Sequence, residues 1–343
     1  MELQAARFEL RLKDHFKTAH SQRSVQVVFI AILRQDGISG YGETTVNTYF
    51  GIDEATIRQD LAEATCALQS FVPARPDEVH AFLRQHTAIG NFALCAIDEA
   101  AYDWYGKKQG ISTRSYLDEG NRQPPLTDYT IGLASVDKMV EKLKARPWPL
   151  YKIKLGTEDD VAIVRELRKH TDAVFRVDAN CAWQVDEAIA NARELKELGV
   201  EFIEQPLDPA DWQGMKQVYE ESVLPVIADE SCQTEEDVAH CAGYFHGINI
   251  KLTKCGGLTP ANRMVRQARA LGMQVMGGCM NESSVGISAL AQLAPQLDYL
   301  DADGTLLIAN DPASGVSFDN GRIVYPGTPG NGVTLLAEPV ELL

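Results

Sequence analysis

Charged residues close a series of short apolar stretches at nearly constant spacing through the second half of this chain. Lys152-Ile-Lys154 ends one stretch, and Asp178, Glu204, Asp229 and Lys251 end the next four, at intervals of 24, 26, 25 and 22 residues. Asp301 and Asp303 follow a further Tyr-Leu. That period fits one strand, one helix and two loops. A chain that repeats it and marks each strand end with a charge folds as a parallel (β/α)8 barrel with its chemistry on one rim. Eight strand ends are expected at 129–132, 153–155, 177–178, 203–204, 228–229, 250–251, 275–277 and 300–301. Helices are expected between them, for example over 161–170, 187–198 and 260–271.

The 343 residues exceed what a barrel needs, and the surplus lies at the N-terminal end. Residues 25–33 are strongly β-prone, Asp36-Gly-Ile-Ser-Gly is turn-like, and 53–71 and 92–107 carry helical spacing, with Ile57, Leu61, Ala64 and Leu68 on one stripe. An α+β unit over 1–118 is therefore expected, then the barrel over 119–317. The segment 318–343, with a short β signal at 322–325, is expected to pack back on the N-terminal unit.

A net charge of −16 argues against nucleic acid or an anionic membrane as partner, since both select basic patches. No stretch approaches the roughly 18 apolar residues of a membrane span, and the N-terminus carries no apolar signal core. Seven scattered cysteines without a Cys-x-x-Cys pair suit a reducing cytoplasm better than a disulfide framework or zinc site.

In an eight-stranded ring, strands two and six face each other, so Lys154 and Lys251 oppose one another across the mouth. Asp178, Glu204 and Asp229 lie side by side on strands three to five. Three adjacent carboxylates repel unless a cation holds them. All-oxygen ligation favours a hard ion, Mg²⁺ first and Mn²⁺ second. This arrangement suits removal of a proton α to a carboxylate, giving an enediolate. One lysine takes the proton from one face and the other returns one to the opposite face. A lysine base near neutral pH needs a depressed pKa, which the positive charge of the metal, the partner lysine and Lys152 would supply.

Lys152-Ile-Lys154, Asp178-Ala-Asn180, Glu204-Gln-Pro206, Asp229-Glu-Ser231, Lys251-Leu-Thr-Lys-Cys-Gly-Gly257 and Gly40-Tyr-Gly-Glu43 together resemble the enolase superfamily, in its muconate lactonizing enzyme-like branch. The resemblance covers nearly the whole chain. It implies a modified (β/α)8 TIM barrel with an N-terminal α+β capping domain. It also implies Asp178, Glu204 and Asp229 as metal ligands, Lys154 and Lys251 as the acid/base pair, and Lys152 against the substrate carboxylate. Lys254 lies in the same motif as Lys251, but strand alternation favours Lys251.

The superfamily hosts several reactions, so fold and metal do not choose among them. Asp301-Ala-Asp303 resembles the Asp-x-Asp of dipeptide epimerases, which binds the substrate's α-ammonium group. Two carboxylates at i and i+2 can gather one ammonium with its three donors. Gly278-Cys-Met-Asn-Glu-Ser283 is similar to the same family, which implies Cys279 and Met280 along the dipeptide's path, with Thr130 in reach. Side-chain preference there is set by capping loops, here 16–24 and 45–51. Arg23 is the candidate partner for a glutamate side chain, pointing to L-Ala-D/L-Glu or similar dipeptides of cell-wall peptide breakdown. The alternatives are other enediolate reactions on substrates without a free amine (o-succinylbenzoate synthesis, cycloisomerisation, N-acylamino acid racemisation), a Schiff-base lyase, or a silent binding barrel. The family's frequent self-association makes a homo-oligomer an expectation as well.

Overall fold

The apolar run 25–33 is continuous, not alternating, because both of its faces are covered. In the computed structural model, which describes residues 1–17, 22–117, 122–337 and 341–342, it forms the centre of an antiparallel sheet. Strands β1 (Glu2–Lys17), β2 (Gln22–Gln35) and β3 (Ile38–Thr45) pair in sequence order, and the segment Glu341–Leu342 adds to the free edge of β1. Phe29, Ala31 and Leu33 face helices α1 (Glu54–Leu68), α2 (Pro76–His86) and α3 (Asn91–Gln109). Val28, Ile30 and Ile32 point the other way, toward Val285, Ile308 and Val333. This two-sided burial is the period-2 logic of a covered strand.

Helix α1 begins where Asp53 accepts the Thr56 N–H at 2.8 Å, and Ile57, Leu61, Ala64 and Leu68 form its buried stripe as the spacing predicts. Helix α3 is buried through most of its length because the sheet covers one side and the barrel the other.

The barrel strands are β4 (Tyr129–Ile131), β5 (Leu150–Lys154), β6 (Val174–Asp178), β7 (Val200–Glu204), β8 (Val226–Ala228), β9 (Gly247–Lys251), β10 (Gln274–Gly278) and β11 (Tyr299–Asp301). All eight run parallel in chain order, and a parallel bridge from Thr127 to Leu300 joins the last strand to the first. The expected helices fall at Asp160–Arg168, Val185–Glu197 and Leu258–Ala270. The hairpin Ser317–Asp319/Arg322–Val324 lies under the barrel, where Thr127 N–H donates to the Gly321 carbonyl. Farther on, Gly330 and Asn331 touch α3 through Asp103. Among the described residues, no helix is long and apolar enough to cross a membrane.

Candidate active site

Strand register puts the charges on one level. Lys154 pairs with Asp178, Asp178 with Glu204, Lys251 with Gly278, and Gly278 with Asp301. Alternation turns Lys152 inward with Lys154, while Ile153 packs outward in the core. The ladder runs past the strand ends, since Leu155 N–H reaches Asp178 O, Ala179 N–H reaches Glu204 O, and Gln205 N–H reaches Ile227 O. Asn180 and Cys181 then turn away through left-handed φ values of 45° and 66°.

The carboxylates of Asp178, Glu204 and Asp229 converge so that their ligand atoms all lie within 4.8 Å of one another. Lysines surround them. Lys154 Nζ donates to Asp178 Oδ2 at 2.6 Å, and Lys251 Nζ to Asp229 Oδ2 at 2.8 Å. Lys152 Nζ lies 2.7 Å from Glu204 Oε2, 2.8 Å from Asp301 Oδ2 and 3.2 Å from Asp178 Oδ2. Lys254 is tied to Asp229 Oδ1 at 2.6 Å and to three backbone carbonyls, and it does not line the cavity. Burial opposes ionisation of Asp178, Asp229 and Asp301, but the lysines outweigh it and hold all three below the ordinary aspartate value. For Glu204, burial and Asp178 prevail and push the pKa up.

Burial alone would depress Lys152 and Lys251, yet Asp301 and Glu204 around the first and Asp229 beside the second raise both above the ordinary lysine value. The carboxylates, not the neighbouring cations, are the charges that govern them here.

Does this donor set suit a metal ion? It contains three carboxylates and neither imidazole nor thiolate, as a hard divalent cation prefers. Glu204 Oε2 is buried and, despite its ion contact with Lys152, accepts no hydrogen bond of good geometry. The residues therefore fit such an ion.

At the other side of the rim, ligand atoms of Cys279, Asp301 and Asp303 also gather within 4.8 Å. Thr130 N–H donates to Asp303 Oδ2 at 2.6 Å, and Cys279 N–H to the Asp301 carbonyl at 2.9 Å. Burial and the neighbouring Asp301 push Asp303 up to about 7. A cavity of about 290 Å³ joins the two regions. Thr130, the three lysines, Asp229, Asp301, Asp303, Cys279 and Met280 all line it, whereas Asp178 and Glu204 lie fully buried beneath. Arg23 is the second residue of strand β2, but its side chain lies outside the described residues, as do residues 18–21 of the same loop.

Several residues of the site are not singled out by the sequence reading. Gln205 Oε1 accepts the N–H groups of Asp229 and Ser231 at 3.0 and 3.1 Å, fixing the end of β8. Asn249 Nδ2, on β9 two strands away, donates to Glu204 Oε1 at 2.8 Å. Asn47 and Tyr49 form a wall from the N-terminal unit, Asn180 and Glu230 the floor near Asp229, and Leu307 the far end. Gln205, Asn180 and Glu230 sit inside quoted motifs, so proximity to a charge was a usable signal. Leu307, in a short turn of helix after β11, carries none.

Residues 134–339 match the family model described as enolase C-terminal domain-like, and residues 5–117 that of the mandelate racemase/muconate lactonizing enzyme N-terminal domain. An L-Ala-D/L-amino acid epimerase of Maribacter sp. is 52% identical over 336 residues, covering 98% of this chain and 99% of the relative. The substrate-liganded L-Ala-D/L-Glu epimerase of Bacillus subtilis superposes with a TM-score of 0.92 at 28% identity, over 98% of this chain and 99% of that one. A dipeptide epimerase of Enterococcus faecalis V583, complexed with Mg and L-Leu-L-Tyr, gives 0.89 at 28% identity, over 97% and 99%.

Proposed function

This chain belongs to the mandelate racemase/muconate lactonizing enzyme family of the enolase superfamily, and from that premise we propose that it is a dipeptide epimerase inverting the α-carbon of the C-terminal residue. The observation that carries the reading is that Lys154 on β5 and Lys251 on β9, four strands apart in a ring of eight, line one cavity together with Asp301 and Asp303. Such a lining suits a ligand with a carboxylate at one end and an ammonium at the other.

Asp301 and Asp303 take the α-ammonium group, with Thr130 holding Asp303 in place. Lys152, already between the two acidic groups, faces the substrate carboxylate. The α-carbon then lies between Lys154 and Lys251. One lysine in its neutral form accepts the α-proton; the C–H bond breaks and its electron pair moves into the carboxylate to give the enediolate. The opposite lysine donates a proton to the other face, and the new C–H bond restores the carboxylate with inverted configuration. Asp178, Glu204 and Asp229 would hold Mg²⁺, or Mn²⁺ in its place, which supplies positive charge where the enediolate oxygens become most negative.

We propose a broad preference at the second residue, consistent with the L-Ala-D/L-amino acid name of the Maribacter relative. The cavity walls above the lysines are neutral: Asn47, Tyr49, Phe50 and Met280. Among the described residues lining the cavity, the three lysines are the only cations; the side chain of Arg23, the candidate partner for a second-residue carboxylate, lies outside the described residues. L-Ala-D/L-Glu stands as one substrate among several.

Deuterium incorporation tests the reading directly. In D₂O with Mg²⁺, Ala-Ala, Ala-Phe and Ala-Glu should gain label at the second α-carbon. EDTA should abolish the exchange, and N-acetylated dipeptides should exchange far less. Exchange that ignores N-acetylation would remove the ammonium role of Asp301 and Asp303. No exchange on any free dipeptide would sink the proposal.

A further inference from the structure

Glu43 belongs to the N-terminal unit, yet its carboxyl group is spent entirely on the barrel. It is fully buried at the end of β3. Its Oε2 accepts the Ser283 hydroxyl at 2.5 Å and the Gly286 N–H at 2.9 Å, and its Oε1 accepts the Ser283 N–H at 3.0 Å. Ser283 is the N-cap of the helix Ser284–Leu293, so a side chain from another domain completes that helix's first turn. Glu99 anchors the other side of the contact by accepting the Glu43 N–H at 2.9 Å.

The segments on either side of this contact are the two walls of the cavity. Leading into Ser283, residues 279–281 line it after β10, held by the Asp301 carbonyl and by Glu282 Oε1, which accepts the Met280 N–H at 2.8 Å. Leading out of Glu43, Asn47 and Tyr49 line it from the N-terminal unit. Asn47 Nδ2 also approaches Met280 Sδ at 3.5 Å, so the walls touch a second time near the ligand space. The first contact is thus the hinge pin and the second the gap that it sets.

We propose that Glu43 is a positioning residue for substrate selection, acting through Ser283 to fix the spacing between the wall 279–281 and the wall 47–50. The inference rests on the dipeptide reading above. Glu43 touches neither substrate nor the lysines, so its loss changes how well a side chain is accommodated more than how fast the proton moves. Both Glu43 oxygens accept a backbone N–H, from Ser283 and from Gly286, so glutamine keeps one of these acceptors and loses the other, while alanine loses both.

The test compares kcat and KM for Ala-Ala and Ala-Phe, with melting temperatures, in the wild type, E43A, E43Q and S283A. S283A removes one hydroxyl and keeps the backbone donors. The expected result is a rise in KM for Ala-Phe of about fivefold or more in S283A and E43A, with kcat changed less. The ratio of kcat/KM for the two dipeptides shifts in both, and in E43Q it shifts less than in E43A. A folded S283A with wild-type KM values and ratio overturns the proposal even if E43A fails to fold. So does an E43A that loses melting temperature while keeping the ratio, since that is a purely structural role. Absence of wild-type turnover on both dipeptides removes the epimerase reading and this proposal with it; unchanged variants of an active wild type remove this proposal alone.

Discussion

At the scale of single residues, the two lysines are not equivalent in their surroundings. Lys154 is bonded to Asp178 and Lys251 to Asp229, and Lys251 has the buried Glu230 as a further acidic neighbour. In the proposed reaction each addresses a different face of the same α-carbon. Lys154→Ala should therefore abolish exchange from one epimer, by about 10²-fold or more, while the other epimer still exchanges through Lys251. Lys251→Ala should show the mirror pattern. Solvent deuterium exchange of each pure epimer, read in single-turnover time courses, checks this. If both single variants lose exchange from both epimers equally, the one-lysine-per-face assignment is wrong. Glu230 Oε2 is buried on the cavity floor and accepts no hydrogen bond from the described residues.

At the scale of elements, the contact between β3 and α3 depends on two glycines. A Cβ at Gly40 would stand 2.0 Å from the Ala100 carbonyl, and one at Gly42 2.1 Å from that of Ala96. Backbone atoms cannot step aside as a flexible side chain would, so strand and helix must separate. Gly42→Ala should lower stability by about 1–3 kcal/mol or more, and it displaces Glu43 with it. Thermal or urea denaturation measures this; a variant with wild-type stability would mean that the strand and helix are not locked together. The same motif shows what is legible in sequence and what is not. Six of the eight barrel strands could be placed because a charge ends or directly follows each one, and a charge at an apolar boundary is a local signal; β4 and β10 carry none and were placed by the period. Helix α2 was passed over because its stripe of Pro76, Val79, His80 and Leu83 is only two turns long. The opposition of Lys154 and Lys251 followed from strand count alone. The wall formed by Asn47 and Tyr49 lies in the loop 45–51 that the family resemblance points to, but which of its residues line the cavity depends on how two separately folded units meet, and neither residue type announces that role.

At the scale of the whole molecule, buried carboxyl groups tie the N-terminal unit to the barrel, and this predicts how stability varies with pH. Asp98 on α3 accepts the Thr259 N–H at 2.8 Å and the Thr259 hydroxyl at 2.6 Å, capping the helix after β9 much as Glu43 caps the helix after β10. Burial pushes Asp98 up to about 7, against the pull of the Thr259 hydrogen bonds. Glu282 is raised to about 7 and Glu43 to about 8, also by burial first. In the unfolded chain these groups ionise near the ordinary carboxyl values of roughly 4. Between about pH 4 and 8 the folded state therefore holds more protons than the unfolded state, and stability must fall as pH rises through that window. Asp178 and Asp301 act oppositely: their depressed values give stability that is complete above the ordinary aspartate range and is lost only as pH falls below it. The melting temperature should consequently peak in mildly acid solution and decline by a few degrees toward pH 8, at fixed salt and cation concentration. Asp98→Asn isolates one contributor. Its Oδ1 can still accept the Thr259 N–H, and its Nδ2 can donate to the Thr259 hydroxyl, which already reaches Tyr102 at 3.2 Å. With no proton to release, the variant should show a shallower decline between pH 5 and 8 than the wild type. An identical slope in the two proteins would mean that Asp98 is already ionised in the folded state, and that the junction between the two units is held by charge instead of by a neutral carboxyl group.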